Sequence, residues 1–455
     1  MGIPSYFGHL MRNHKRIVGP LQKCDNLYLD SNSIVYDAVR NCPTPTDEDI
    51  VREVCAKIEG YLKMVQPRRV FIAFDGVPPM AKIKQQRERR YKSLLFPEPE
   101  KAGWNTLQIT PGTNFMKLLD EGVRRHFEPL AAKYDFFRVS GSDEPGEGEH
   151  KIFEHVRTVP HADQRTLVYG LDSDLIMLAL NHLKYGAINL LREAPAFMLK
   201  GEQLHVLDVG LLAGEIRATM GADKLDDYIF MAMLLGNDFM PHFPSLNLRT
   251  NGFKILMETY KTSVRERHLF DGRKVHWPVL KDFLTALARR ENGDVAREYK
   301  SRNERCERGI EKVQNNAPML RREIEHYINP LEPGWQHRYY TQLFQTDMTP
   351  KLLEAVCEDY MDILHWNIQY YTTGCPHWGV FYQHMYPPLL ADLAKFTYTE
   401  KEYPESRPMK AVDLLKTVLP AEFHHFSVQP YTPECKSPKA YWAFCTFIWE
   451  SHLLF

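Results

Sequence analysis

The sequence predicts an α/β protein: a mostly parallel, doubly wound sheet flanked by helices, with a mainly helical C-terminal region packed on it. Three observations predict it. In the first half, short β-branched or aromatic runs alternate with helical text, a pattern that puts helices on both faces of a parallel sheet. From about Gly252 onward the strand signals fade and the text turns helical and charged, as in KSRNERCERGIEKVQNNAPMLRREIEHYINP. Apolar residues make up 44% and charged residues 25% of the chain, ordinary values for a globular protein that exclude disordered and fibrous classes.

In chain order the strand runs are NLYLD (26 to 30), RRVFIAF (68 to 74), YDFFRVS (134 to 140), TLVYGL (166 to 171) and AINLL (187 to 191). Between them lie DIVREVCAKIEGYLKMV and TNFMKLLDEGVRRHFEPLAAKY, which read as helices. A Pro- and Gly-containing break, INPLEPGWQHRYY, precedes aromatic-rich helical text that runs to about His384. These signals divide the 455 residues into an α/β region, 1–250, and a helical region, 251–455. The length suits two or three domains, or one large α/β domain with an appendage.

The formal net charge of −1 argues against a protein that coats nucleic acid non-specifically, so any basic surface is local. No run approaches 18 apolar residues, and MGIPSYFGHLMRNHKR holds no apolar signal core, so neither a membrane span nor a secretory segment is expected. Tyr6 stands where myristoylation needs Ser or Thr. Cysteines at 24, 42, 55, 306, 357, 375, 435 and 445 form no close pair. That scatter fits reduced thiols in the cytoplasm, or in the nucleus, and gives no zinc signal.

Acids recur just past apolar segments. Asp30 ends NLYLD, Asp75 ends RRVFIAFD, Glu147 and Glu149 follow YDFFRVSGSDEPG, Asp172 and Asp174 follow TLVYG, and Asp238 follows FMAMLLGN. A doubly wound sheet gathers such groups at one edge, where ligands bind. One Asp after a strand is usually a turn or cap residue; seven in matching contexts are harder to explain that way. Like charges at about 4 Å repel by on the order of 4 kcal/mol per pair at an effective dielectric near 20, so the cluster calls for a cation. All-carboxylate ligands point to Mg²⁺ or Mn²⁺ rather than Zn²⁺. Two such ions roughly 3.5 to 4 Å apart serve phosphodiester hydrolysis. Within SDEPGEGEHKIFEHV, Ser142 or Asp143 is expected to start a helix, with Pro145 in its first turn, while Glu147 and Glu149 face the ions. Gly146 and Gly148 leave room for a close approach. Which glutamate ligates directly is open, and His150 is expected at the surface.

After FDG comes VPPMAKIKQQRERRYKS, in which six bases and one acid lie between Pro79 and Lys92, a local charge of +5. Lys82, Gln86, Arg89 and Arg90 fall within roughly a 100° arc of one helical face. Point charge, planar forks and an amide donor on one face suit a terminal phosphate. The alternative is an ordinary solvated helix, and Lys84, Arg87 and Lys92 point elsewhere.

Taken together, MGIPSYF, LYLDSNSIVYD, FIAFDGVPPMAKIKQQRERRYKS, SDEPGEGEHKIFEHVR, YGLDSDLIMLAL and MLLGNDFMPHFPSLNL, followed by GWQHRYY, HWNIQYYTTGCPHWGVFYQHMYPPLLADL and DLLKTVLPAEF, resemble the 5′→3′ exoribonuclease (XRN) family within the flap-nuclease, PIN-like superfamily. The resemblance implies a magnesium-dependent hydrolase with two ions, Mn²⁺ substituting, bound by Asp30, Asp75, Glu147, Glu149, Asp172, Asp174 and Asp238. It implies that Lys82, Gln86, Arg89 and Arg90 hold the 5′-monophosphate of single-stranded RNA in a pocket too confined for a cap or triphosphate. Tyr36 and Trp378 match positions where bases stack. A monomer that degrades RNA to nucleoside 5′-monophosphates is the implied activity.

Three departures stand out. Tyr36 replaces the family's usual His and cannot act as a cation. Val380 stands where a second aromatic is expected beside Trp378. Family members are commonly much longer, so the resemblance implies a compact form. Two competing readings are a structure-specific flap endonuclease acting on DNA and a non-catalytic RNA-binding scaffold. The text after Asp238, FMPHFPSLNLRTNGFKIL, lacks the Gly-x-Gly hairpin of the first, and no acid is lost as the second would require.

Overall fold

A computed structural model describes residue 3 and residues 6–42, 45–95, 104–159, 161–193, 204–307 and 322–432, apart from the side chains of 88, 91–95 and 305–307. The strands are β1 (Val18–Gly19), β2 (Asn26–Asp30), β3 (Arg69–Ala73), β4 (Phe136–Ser140), β5 (His161–Tyr169), β6 (Gly186–Glu193) and β7 (Leu204–Leu207). They form one 7-stranded sheet in the order β1-β7-β6-β5-β2-β3-β4. From β6 to β4 every pairing is parallel; β7 and β1 extend one edge antiparallel.

The predicted fold class is the one observed, with two additions and one extension. β1 and β7 carry no strand signal because two- and four-residue segments are too short to display a period. β5 begins at His161 rather than Thr166, through the polar stretch ADQR, paired with β6 across a register irregularity.

The helices of the first half are α1 (Tyr6–Asn13), α2 (Asn32–Asn41), α3 (Asp47–Val65), α4 (Met80–Leu95), α5 (Asn114–Ala131), α6 (Gly148–Thr158), α7 (Asp174–His182), α8 (Val209–Met220) and α9 (Leu225–Met233). Beyond them come α10 (Gly252–Ser263), α11 (Trp277–Glu307) and the helices Glu323–Ile328, Trp335–Leu343, Pro350–Thr372, Leu390–Leu393 and Ala411–Val418. Local chemistry sets several boundaries. α3 opens on a capping box between Thr46 and Asp49 with three acids in its first turn, and closes on Gln66 at φ 53°.

Alternation along the strands builds two layers. Leu27, Leu29, Val70, Ile72 and Leu167 pack against α2, α3 and α5, whereas Tyr28, Phe71 and Val168 point into a larger core shared with α6, α7, α9 and the helix Pro350–Thr372. That larger core runs without interruption past position 250. The chain moves outward from β2 through β3 to β4, then returns to place β5 on β2's other side. The β2/β5 junction is therefore the point at which strand order reverses, the position where open α/β sheets bind ligands.

Cys24, Cys42, Cys55, Cys357 and Cys375 are unpaired thiols; the Cys306 side chain, Cys435 and Cys445 lie outside the described residues. The part of the predicted charged helix from 308 to 321 also lies outside them. No helix among the described residues is long and apolar enough to cross a membrane.

Candidate active site

Asp30 is the last residue of β2, and Asp75 lies two residues beyond β3. Glu147 sits at the N-cap of α6 with Glu149 in its first turn, and Asp174 opens α7, two residues after Asp172. Asp238 follows α9, so the apolar segment before it is a helix and not a strand. The backbone brings these positions together tightly. The Gly148 N–H donates to Asp75 Oδ1 at 2.7 Å, while Asn32 Nδ2 donates to Asp75 Oδ2 at 2.6 Å. A Cβ on Gly148 would lie 2.7 Å from Asp30 Oδ1 and 3.5 Å from Asp75 Oδ1. This glycine thus makes room for two carboxylates.

The loops that carry the acids are zipped together. Gly76 N–H donates to the Gly146 carbonyl at 2.8 Å, and Gly146 N–H to the Val77 carbonyl at 2.9 Å. A Cβ on Gly76 would fall 1.8 Å from the Glu144 carbonyl oxygen, and Gly146 adopts φ 104°. Both positions require glycine. Two buried side chains brace the junction: Lys151 Nζ donates to the carbonyls of Phe74 and Gly141, each at 2.8 Å, and Asp120 of α5 accepts from Ser142 N–H at 2.9 Å and from its hydroxyl at 2.6 Å. Burial brings the Lys151 ammonium down to about 8.

The expected capping by Ser142 or Asp143 does not occur. Ser142 is bound to Asp120, Asp143 pairs with Arg124 at 2.5 Å, and α6 begins only at Gly148. His150 is not at the surface either: it is 6% exposed and stacks on Tyr370 at 3.5 Å. The first turns of α6, Gly148 to Phe153, are buried, with Tyr370 of the helix Pro350–Thr372 packed on His150, while Glu154 and Thr158 further along are exposed. Burial drives the His150 imidazole well below its ordinary value.

Electrostatics at the site are dominated by crowded, buried anions. Burial first, then Asp75, Asp172 and Glu147, pushes Asp30 well above the usual carboxylate range. Burial and Glu147 do the same to Glu149, and burial with Asp238 raises Asp174 to about 7. Among the described residues Lys82 answers them most directly: its Nζ lies 2.7 Å from Glu147 Oε2 and 2.6 Å from Asp238 Oδ2. Against the cost of burial, Asp238 and Glu147 hold that ammonium well above its ordinary value. In return the cations around Asp238, Lys82 foremost and Arg89 with it, together overcome burial and pull its carboxyl down.

Among the described residues no three His, Cys, Asp or Glu side chains already form an ion cage, and Lys82 stands between two of the acids. The donor chemistry nevertheless fits a hard divalent cation. The set is all oxygen, the acids raise one another, and one oxygen of Asp174 is buried with no hydrogen-bond partner.

α4 runs from this cluster along the predicted basic face. Lys82, Gln86 and Arg90 are buried and Arg89 is exposed. Arg90 donates from Nη2 to Thr110 Oγ1 at 2.9 Å and from Nη1 to the Gln86 carbonyl at 3.1 Å, and burial lowers it to about 10. Gln86 Oε1 is buried without a partner. The Arg89 guanidinium lies in the field of Tyr36 first, then of Asp172, Asp238 and Asp75, which raises it. Tyr36 is half-buried on α2. Trp378 is half-buried and its carbonyl accepts the Met80 N–H at 2.9 Å, anchoring the start of α4. Val380 packs against the large core.

Comparison with known proteins gives two family matches: XRN 5′-3′ exonuclease N-terminus over residues 1–194, and Xrn1 helical domain over residues 222–330 and 311–440. The chain belongs to the XRN family. XRN relatives include 5′-3′ exoribonuclease 1 of Saccharomyces cerevisiae, 24% identical over 92% of this chain and 39% of that protein. The human 5′-3′ exoribonuclease 1 is 27% identical over 92% of this chain and 30% of its own length. The chain thus spans between 30% and 39% of the length of these curated XRN proteins. A solved structure of the catalytic core of Rad2 in complex with DNA substrate is 14% identical, with a TM-score of 0.38, covering 82% of this chain and 96% of that one.

Tyr370, Lys151, Asp120 and His150 carry no signal in a single sequence. Their importance rests on contacts between distant segments, 223 residues apart for Tyr370 and Glu147.

Proposed function

We propose that the chain is a 5′→3′ exoribonuclease that hydrolyses single-stranded RNA bearing a 5′-monophosphate to nucleoside 5′-monophosphates, acting as a monomer in cytoplasmic RNA decay. The observation that carries this reading is the convergence, at the β2/β5 reversal, of buried mutually raised carboxylates with the basic face of α4. The two XRN family matches, one in each half of the chain, support it. Residues 1–250 form the nuclease region in this reading, and 251–455 complete the substrate channel.

Asp30, Asp75, Glu147, Glu149, Asp172, Asp174 and Asp238 hold two divalent ions of the Mg²⁺ class, for which Mn²⁺ substitutes. When bound, such ions supply Lewis-acid activation of water and charge compensation at the departing 3′-oxygen. The remaining work belongs to the chain. Lys82, Gln86, Arg89 and Arg90 take the terminal phosphate, with Arg89 the solvent-facing fork and Lys82 at the seam between the phosphate face and the acids. Tyr36, beside Arg89, and Trp378, at the head of α4, grip bases by stacking, which tolerates any sequence.

The test compares matched RNAs carrying 5′-monophosphate, 5′-triphosphate or 5′-hydroxyl ends, with Mg²⁺ or with chelator. Selective, metal-dependent decay of the monophosphate RNA is expected. Equal turnover of all three ends would refute the phosphate assignment, and cutting at a branched DNA flap in preference to RNA would replace the whole reading.

A further inference from the structure

Tyr370 comes from the helix Pro350–Thr372, far in sequence from every acid of the cluster, yet its hydroxyl donates to Glu147 Oε1 at 3.0 Å. The other oxygen of the same carboxylate, Oε2, pairs with Lys82. Glu147 is therefore held at both oxygens, by one donor from each half of the chain. Its neighbour Glu149 accepts no hydrogen bond from a described residue, so the two glutamates differ in how firmly they are oriented.

The Tyr370 ring itself is clamped. His150 stacks on it at 3.5 Å with an interplanar angle of 16°, and Trp366 stacks at 4.7 Å and 28°. Phe239, next to Asp238, meets its edge at 5.4 Å and 88°. Trp366 is fixed in turn, because its indole N–H donates to the His377 carbonyl at 2.8 Å. A ring packed in this way keeps its hydroxyl on one line, and that line ends on Glu147.

We infer that Tyr370 is a positioning residue that orients Glu147 for divalent-ion binding, through which the helical region sets the geometry of the carboxylate cluster. The inference rests on the metal-dependent reading above. Outer-sphere donors to ligating side chains typically account for about 10- to 100-fold in metal affinity or activity. The change Tyr370→Phe isolates the effect, since it deletes one hydroxyl and leaves the ring, its stacking partners and its volume in place. Tyr340→Phe is the matched control: Tyr340 is also buried and its hydroxyl donates to a carboxylate, Asp392 Oδ2 at 2.8 Å, away from the site.

The experiment titrates Mn²⁺ into the wild-type chain, Tyr370→Phe and Tyr340→Phe without RNA, by calorimetry, and records the melting temperature of each. Steady-state decay of 5′-monophosphorylated RNA is then measured against Mn²⁺ concentration. The expected result is Mn²⁺ binding weakened about 10- to 100-fold in Tyr370→Phe alone, with kcat reduced at low Mn²⁺, recovery at high Mn²⁺ and KM for RNA unchanged. Equal Mn²⁺ affinity in wild type and Tyr370→Phe would overturn the inference and leave the proposed function standing. A loss shared by Tyr340→Phe would overturn it as general loosening. No Mn²⁺ binding by the wild-type chain would overturn the metal-dependent function, and the inference with it.

Discussion

Glu325 and Asp30 are both buried carboxylates, at 0% and 7% exposure, in opposite surroundings. Glu325, in the helical region, is gripped by two arginines: Arg302 Nε and Nη2 each approach to 3.0 Å, and Arg322 reaches 2.6 Å and 3.0 Å. Burial alone would raise its carboxyl, but Arg322 and Arg302 overcome that and hold it below the ordinary value. Asp30 meets mainly other acids and is driven up. The difference separates structural burial of charge, which is neutralised on the spot, from burial that leaves an excess of one sign at a sheet edge. An excess of that kind is what the ions of the proposed site would offset.

The comparison breaks first at activity. Asp172→Ala combined with Asp174→Ala is expected to reduce RNA decay by roughly 10³-fold or more, measured as single-turnover loss of 5′-labelled RNA. Asp174→Ala alone should melt no lower than wild type in chelator, because burial and Asp238 hold that carboxyl above its ordinary value. Undiminished decay would force the assigned site to be abandoned.

Glu325→Ala should give the opposite signature. Leaving two buried guanidinium groups without their carboxylate costs about 3 to 5 kcal/mol, read by urea unfolding, while kcat for the folded fraction stays unchanged. Loss of turnover without loss of stability would erase the distinction between the two regions.

The smallest effect lies in pH dependence. Asp174 titrates near 7 in the folded protein against an ordinary value of 3.8, so between those values the folded state holds more protons than the unfolded state. In chelator, its share of stability is therefore present below pH 4 and lost as pH rises toward 7, by at most about 1.4 kcal/mol per pH unit. Glu325 has the reverse sign, with stability lost as pH falls through its depressed folded value. Asp174→Asn should flatten the neutral limb of the unfolding free energy and leave the acid limb unchanged.

Much of this was legible in the order of residues, for a local reason. Alternation in NLYLD and RRVFIAF fixes which side chains face each layer, and the acids at their ends need only be counted along the chain to be placed at one edge. The basic face of α4 was legible in the same way, from an angular period. His150 was misread because exposure depends on what covers a helix, and the cover is the helix Pro350–Thr372. The caps expected at Ser142 and Asp143 failed because Asp120 and Arg124, both on α5, hold those residues instead. The apolar segment before Asp238 is the end of a buried helix, α9, which an apolar run that short does not distinguish from a strand.

The sequence by itself determined the fold class, the acids at the strand ends and the polarity of α4, because these follow from steric period and turn chemistry among near neighbours. Only the tertiary structure decided that Lys82 stands between Glu147 and Asp238, that Gly148 yields its space to Asp30 and Asp75, and that Tyr370 reaches Glu147. Those arrangements join segments 73, 156 and 223 residues apart, and contact at such separations is set by how whole layers pack, which no local pattern contains.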